Sequence, residues 1–272
     1  MRETLKYINH MNEVIEFGSG DYYVNENDLR DFAWNVTAKN ERISAFNRGV
    51  VTKTIPVVIA TTEDGMALRN RLFEVCEKDV LAQKYGRLII GDYYMKCYVT
   101  QSKKKKYLSS ESMMQVALQI TTDAPYWVKE TVDTFGYGDG GQAGTNLDYN
   151  RDYPSDYTSN LLGKELVNAN FVASNFRIVI YGRCEYPSIT IAGHEYAVDV
   201  SLEDNEYLTI DSIEKTIVLT RKNGTKENCF KLRNKESYIF EKIPSGKSNV
   251  SIVGDFKFDI VLLEERSEPK WT

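Results

Sequence analysis

Two histidines, four cysteines and one glycine-rich stretch are the parts of this 272-residue sequence that could do chemistry. A histidine works as a general base only where a nucleophile and an orienting carboxylate converge on it, which is a matter of geometry rather than spacing. His194 stands between Gly193 and Glu195 at an apparent hairpin turn, where an exposed ring is expected. His10 falls in an irregular N-terminal stretch, with no convincing partner beside it. Cys76, Cys97, Cys184 and Cys229 form neither a Cys-x-x-Cys pair nor a metal-ligand spacing. They lie on core-like segments and are expected to be free buried thiols of a reducing compartment. The stretch from Gly136 to Gly144 lacks the Gly-Lys-Ser/Thr ending of a phosphate loop, and no helical pattern opens after it. Glu264 and Glu265 are adjacent, but paired carboxylates act as acid and base only when their surroundings separate their pKa values, and a solvated strand end is expected there. No catalytic, cofactor or metal site is expected, and the chain reads as a non-enzyme.

Composition narrows the partners. Hydrophobic residues make up 42% and charged residues 27%, an ordinary globular balance. Eighteen Tyr and eleven Phe favour strands, where flat side chains pack across a pleated face. The formal net charge of −5, from 34 basic and 39 acidic residues, argues against nucleic acid as the main partner. The one basic run, Lys103 to Lys106, is expected at a solvated hairpin tip. The start of the chain lacks the apolar run of a signal peptide, and no stretch reaches the length of a membrane span, so no membrane insertion is expected. The Asn-x-Ser/Thr triplets at Asn35, Asn223 and Asn249 carry little weight as glycosylation sites in that setting.

The elements read as follows. Val50 to Thr61 is rich in β-branched residues and interrupted by Pro56, the pattern of a bent or edge strand. From Asp64 to Lys84 the period changes: Leu68, Leu72, Val75 and Cys76 recur at helical steps, and Gly86 supplies a stop. Arg87 to Ile90, the Gly91-Asp92 link and Tyr93 to Gln101 make a hairpin, with Tyr93, Met95, Cys97 and Val99 on one face. A third strand places Met114, Val116, Leu118 and Ile120 together, so a helix is expected to lie on an antiparallel sheet. In the second half, short strands alternate through Ile189 and Ile191, Tyr196 to Val200, Leu208 to Leu219 and Phe256 to Leu262, with a turn at Asn223-Gly224. The expected class is mainly β with one long helix. Residues 1–133 form an antiparallel sheet or β-sandwich plus the helix, 134–165 a Gly/Asp/Tyr-rich connection, and 166–272 a β-sandwich.

Tyr94 and Tyr98 point away from the face carrying Met95 and Cys97. Either both faces of the hairpin are covered within the domain, or these tyrosines mark a subunit interface, where Tyr is enriched. A sandwich with many aromatics also suggests a carbohydrate-binding module, yet none of Trp34, Trp127 and Trp271 lies clearly on the second domain's sheet. A hydrolase would need a carboxylate or histidine site that the sequence does not offer.

Several segments resemble the distal tail proteins of siphophages that infect Gram-positive bacteria. Tyr181-Gly182, Pro187 and Ile189 to Tyr196 are similar to the opening hairpin of that family's C-terminal half. Ile210-Asp211, Asn228, Ile239 to Gly246 and the closing Glu264 to Trp271 follow in order. Upstream, Glu77 to Val80, Gly86 to Leu88 and the Tyr93–Val99 strand are similar to the N-terminal domain, and Asp148-Tyr149, Asp152-Tyr153 and Asp156-Tyr157 to the joining segment. Asn12-Glu13 departs from the Gly-Glu of the family's first turn, and the first sixty residues match only loosely. The resemblance implies a homohexameric ring, or belt, built by the N-terminal domain and continuing the tail tube, with a galectin-like C-terminal sandwich projecting outward. Tube protein, tape-measure protein, tail-tip hub and receptor-binding protein would be its partners. It would be made in the cytoplasm of the bacterial host and reside at the virion tail tip.

Overall fold

A computed structural model describes residues 5–18, 20–24, 27–60, 65–107, 113–136 and 165–271, with the side chains of 106 and 107 left out. By internal contacts the chain forms two compact units, Met1–Lys129 with Glu265–Thr272, and Glu130–Glu264. Most of the connection expected over 134–165, including the glycine-rich stretch beyond Gly136 and the three Asp-Tyr pairs, lies outside the described residues.

The first unit holds β1 (Leu5–Ile8), β2 (Val14–Phe17), β3 (Tyr22–Val24), β4 (Asn35–Lys39), β5 (Arg42–Asn47), β6 (Val51–Ala60), α1 (Gly65–Ala82), β7 (Gly86–Ile90), β8 (Tyr93–Tyr107) and β9 (Met113–Thr122). It also holds the start of β10 (Trp127–Gly136). The β7–β8 hairpin forms with Ile90 opposite Tyr93, and Gly91 takes the left-handed conformation that its tight link needs. β8 is the corner of the unit. Its first half pairs with β7, its second half pairs with β9, and irregularities at Val99/Gln101 and Lys104/Lys106 let it turn between the two. Tyr93, Met95, Cys97 and Val99 enter one core with Met114, Val116, Leu118 and Ile120, and α1 covers that core with Leu72, Val75 and Cys76. The helix on an antiparallel sheet is therefore present.

Val51–Ala60 is flanked along its whole length by β9, and β3 adds a second partner only at Val57 to Ile59, so the strand is an edge over Val51–Pro56, as Pro56 suggests, and interior at its far end. Pro56 stands one position outside the β3 pairing, next to the Val24–Val57 pair. One reading of this half needs correction. The basic run is not a hairpin tip. Lys103 and Lys104 pair with Ala117 and Val116 inside β8, because a strand with one solvated face accommodates lysines as readily as a turn does. Lys104 lays its Nζ 4.3 Å from the Phe73 ring centre.

The second unit holds the rest of β10 and then β11 (Glu165–Asn168), β12 (Asn175–Tyr181), β13 (Cys184–Glu185), β14 (Ser188–Ile191), β15 (His194–Ala197), β16 (Ser201–Leu202), β17 (Tyr207–Asp211), β18 (Thr216–Thr220), β19 (Lys226–Asn228), β20 (Gly246–Val253) and β21 (Lys257–Arg266), whose last residues return to the first unit. One sheet runs β19–β18–β17–β12–β21 and another runs β11–β20–β14–β15. Ile178, Ile180, Leu208, Ile210, Phe258 and Ile260 of the first meet Leu166, Ile189, Ile191 and Tyr196 of the second in one buried core. That is a β-sandwich. Its helical content among the described residues is a single 3-10 turn, Phe230–Leu232.

Candidate interaction surface

Chemistry-bearing side chains come first. His10, which the sequence leaves without a partner, has one. Its backbone N–H donates to Oδ1 of Asp79 at 2.8 Å and its Nδ1 lies 2.5 Å from the same oxygen. Tyr7 donates its hydroxyl to the other oxygen, Oδ2. Asp79 sits in the last turns of α1 and is fully buried, as is Tyr7 on β1. Burial above all, then the neighbouring Cys97 and the bond to Asp79, push the Tyr7 phenol far above its ordinary range, so it stays a donor. A Cβ at Gly86 would collide with the Tyr7 hydroxyl and the Asp79 carboxylate, which is why β7 begins on glycine. The three side chains tie α1 to β1. Around them, Asn9 accepts the N–H groups of Met11 and Glu13, and Lys78 pairs with Glu13 at 2.7 Å.

The remaining candidates are also absorbed by packing. His194 opens β15 just after the Ala192-Gly193 turn and is half-buried, with Nε2 2.9 Å from the Tyr238 carbonyl and its ring edge-on to Tyr196. All four cysteines are free and buried. Burial pushes the Cys76 thiol up to about 12 and the Cys184 thiol up to about 11. Glu264 and Glu265 are half-buried at the end of β21. Among the described residues no three His, Cys, Asp or Glu side chains gather as a metal site would require, and no helix is long and apolar enough to cross a membrane.

What stands out is a surface. β4 and β5 form a two-stranded hairpin in which every residue is exposed. Asn40 and Glu41 both have positive φ and close it in two residues between Lys39 and Arg42. Val36 faces Phe46, and Ala38 faces Ile43. Phe46 and Ile43 are three residues apart, which in a regular strand would put them on opposite faces. A bulge at Ser44, whose hydroxyl donates to the Thr37 carbonyl at 2.9 Å, shifts the phase and brings both to one side. The result is an arm with one wholly apolar face of Val36, Ala38, Ile43 and Phe46, of which Ile43 and Phe46 are about 60% exposed (61% and 60%). Isolated two-stranded hairpins are marginal in water, and this one keeps its best apolar residues outside.

The base of the arm is pinned. Arg48 places its guanidinium 4.2 Å from the Trp34 ring centre and 5.1 Å from that of Tyr126, and donates to the Pro125 carbonyl at 2.5 Å and to the Ser267 hydroxyl. Beside that base opens a cleft of about 1110 Å³, floored by Phe17, Leu29 and Ile90 and rimmed by Tyr23, Phe32 and Trp271. Arg30 at its edge lies 3.8 Å over the Trp271 ring, donates to the Pro269 carbonyl at 2.7 Å and stands 3.7 Å from the Glu268 carboxylate. Asp31 adds a second carboxylate to the lining.

The two tyrosines singled out from the sequence lie apart from both features. Tyr94 is only 6% exposed within the chain, opposite Val128 of β10. Tyr98 is half-buried, with its ring 4.8 Å from that of Tyr85. Of the tryptophans, Trp127 is buried in the first core, whereas Trp34 and Trp271 flank the arm and the cleft. No tryptophan falls within the second unit.

The chain has the fold of phage baseplate and hub proteins. A chain of the phage p2 baseplate in its activated conformation with calcium matches over 99% of this chain and 100% of its own length, with a TM-score of 0.62 at 15% identity. The SPP1 Dit protein, described as a paradigm of hub adsorption apparatus in phages infecting Gram-positive bacteria, matches over 98% and 100%, with a TM-score of 0.59 at 9% identity. A chain of the p2 baseplate with strontium gives 0.59 at 14% identity, over 99% and 100%. The sequence matches no family model and no curated protein.

Proposed function

We propose that this chain is a structural subunit of a phage tail tip, a distal tail protein that assembles into a hexameric ring. The ring joins the tail tube to the baseplate and docks receptor-binding components. The observation that carries the reading is the pinned arm of β4 and β5, which holds an apolar face in solvent on a fold shared end to end with baseplate and hub chains. An exposed apolar face on a rigid mount suits assembly better than catalysis, and fold likeness supplies the kind of assembly.

In this reading residues 1–133 are the ring-forming domain, 134–165 the connection and 166–264 the sandwich, while the closing residues 265–272 belong with the ring-forming unit. The half-buried Tyr98, with Tyr94 four residues before it on β8, contributes to the contact between subunits. Tube protein, tape-measure protein and the tail-tip hub are the axial neighbours. The work of the molecule is self-assembly and docking, without a reaction.

Light scattering of the purified chain at several concentrations, with negative-stain images of the same samples, tests this. Six-fold rings are expected. A monomer at every concentration that also fails to join tail components would overturn it.

A further inference from the structure

A sugar-binding surface needs flat aromatic faces in water with hydrogen-bonding groups fixed beside them, and the sandwich of the second unit has no tryptophan to offer. The cleft of the first unit has both. Trp271, Phe32 and Tyr23 on its rim are 75%, 53% and 43% exposed. One face of Trp271 carries the Arg30 guanidinium at 3.8 Å, and Arg30 is itself fixed by the Pro269 carbonyl at 2.7 Å. With so much of the side chain in water, the opposite face of the indole is open. We propose that this cleft binds a neutral oligosaccharide, with Trp271 as the stacking platform. The site is additional to ring assembly and does not depend on it.

The polar groups of the lining choose among ligands. Asp31 is exposed, and the Glu268 carboxylate stands 3.7 Å from Arg30, beyond hydrogen-bond distance, so both acids keep acceptor sites for a ligand. Asn27 accepts the Leu29 N–H with its oxygen at 3.2 Å, which leaves its amide nitrogen to donate. An apolar ligand would strip water from both carboxylates and replace it with nothing. An anion would meet two negative groups against one guanidinium already engaged with Trp271 and Pro269. A cation would find that role on Trp271 already filled by Arg30. A pyranose uses every part of the lining. Its C–H face packs on an aromatic ring, and its hydroxyls donate to the carboxylates in charge-assisted bonds and accept from Asn27. At about 1110 Å³ the cleft is at the upper end of ligand sites, which suits several linked sugars rather than one.

The test is calorimetric titration of the full-length chain with a panel of neutral oligosaccharides of glucose, galactose, mannose and N-acetylglucosamine, with tetramethylammonium as the cationic probe. At least one sugar chain is expected to bind, with an affinity that hardly changes between low and high salt, since no charge is neutralised. Trp271→Ala should weaken that binding by about tenfold, as the loss of a stacking face does. The side chain is largely exposed, so this variant should melt close to the unaltered chain. Trp34→Ala, outside the cleft lining, should bind as the unaltered chain does. Binding that survives Trp271→Ala unchanged would overturn the site, as would tetramethylammonium binding with no sugar bound. So would a full panel without binding, whether the chain runs as rings or as a monomer. In each of these cases the ring reading stands, because its own test is the mass of the assembly.

Discussion

Val36 and Phe46 face each other across the arm, and Ile43 joins them on the same side only because Ser44 is looped out of register. Deleting Ser44 should therefore leave Ile43 two positions from Phe46 in a regular strand and keep both on one face. Replacing Ile43 and Phe46 together by Asp, by contrast, removes the apolar face and leaves the bulge. Assembly should survive the deletion and fall away in the double substitution, while the stability of the chain shifts by less than about 0.5 kcal/mol per site, as is usual for exposed positions. Light scattering beside a thermal melt reads both. Undiminished assembly of the double substitution would mean that the face is not what assembles.

Asp79 should be the costliest polar side chain to replace in the first unit. Its two oxygens accept from the His10 backbone, the His10 ring and the Tyr7 hydroxyl, with no exposure to water. Asp79→Asn leaves one of those donors facing an amide N–H, and a loss of about 3 kcal/mol is expected in denaturant melts. Tyr7→Phe removes one donor and keeps the others, for about 1.5 kcal/mol. The order matters more than either size. A milder effect for Asp79→Asn than for Tyr7→Phe would refute the anchor role.

How far these features could be read from sequence depended on how local they are. The β7–β8 hairpin was legible because Gly91-Asp92 and strict alternation both speak for it within fifteen residues. The arm was not. Its bulge breaks the period, so Val36, Ala38, Ile43 and Phe46 look scattered, and Asn, Lys and Arg around them resemble loop residues. The lysine run misled for a related reason: charge reports solvent exposure, not backbone shape, and a half-solvated strand has both. His10 and Asp79 lie 69 positions apart, and only folding brings them together. The cleft draws on four separated stretches, Leu5, residues 17–32 and Ile90 from the first ninety residues, with Glu268 and Trp271 closing it from the far end. The cores of both units, by contrast, followed the apolar alternation closely.

Gly86→Ala should be disruptive despite adding a single carbon. The new methyl would meet the Tyr7 hydroxyl and the Asp79 carboxylate, both held in place by bonds to each other. Overpacking of that kind costs about 3 kcal/mol. Combining Gly86→Ala with Tyr7→Phe should cost less than the sum of the two, because the hydroxyl, one of the atoms the methyl meets, is gone and the Asp79 carboxylate it held is freer to shift. Strict additivity in a double-mutant cycle would contradict the contact.

Acid stability of the second unit should depend on Glu206. Its Oε2 accepts from the Glu203 backbone N–H at 3.0 Å and from Arg221 at 3.0 Å, and these bonds, the backbone one first, hold its carboxyl below the usual range. A carboxylate whose folded pKa lies below its unfolded value stabilises the fold fully above the unfolded pKa. That contribution disappears as pH falls through the folded value. Glu206→Gln should thus be less stable than the parent at neutral pH and converge with it in acid. Melts over a pH series read the difference. A gap between the two proteins that is constant from neutral to acid pH would exclude the linkage.

The cysteines give the last expectation. Thiolate is the species that attacks a disulfide reagent, and its supply at neutral pH falls tenfold for each unit by which the thiol pKa is raised. Burial lifts Cys76 to about 12 and Cys184 to about 11, and it moves Cys97 and Cys229 in the same direction. All four are also shut away from reagent in the folded chain. An aromatic disulfide should therefore react with none of them in the native protein over a time in which denatured protein releases four equivalents. Adding denaturant in steps should then expose the thiols with the unfolding transitions, Cys76 and Cys97 with the first unit and Cys184 and Cys229 with the second. One equivalent released quickly from native protein would show that a unit opens locally far more often than its sealed core implies.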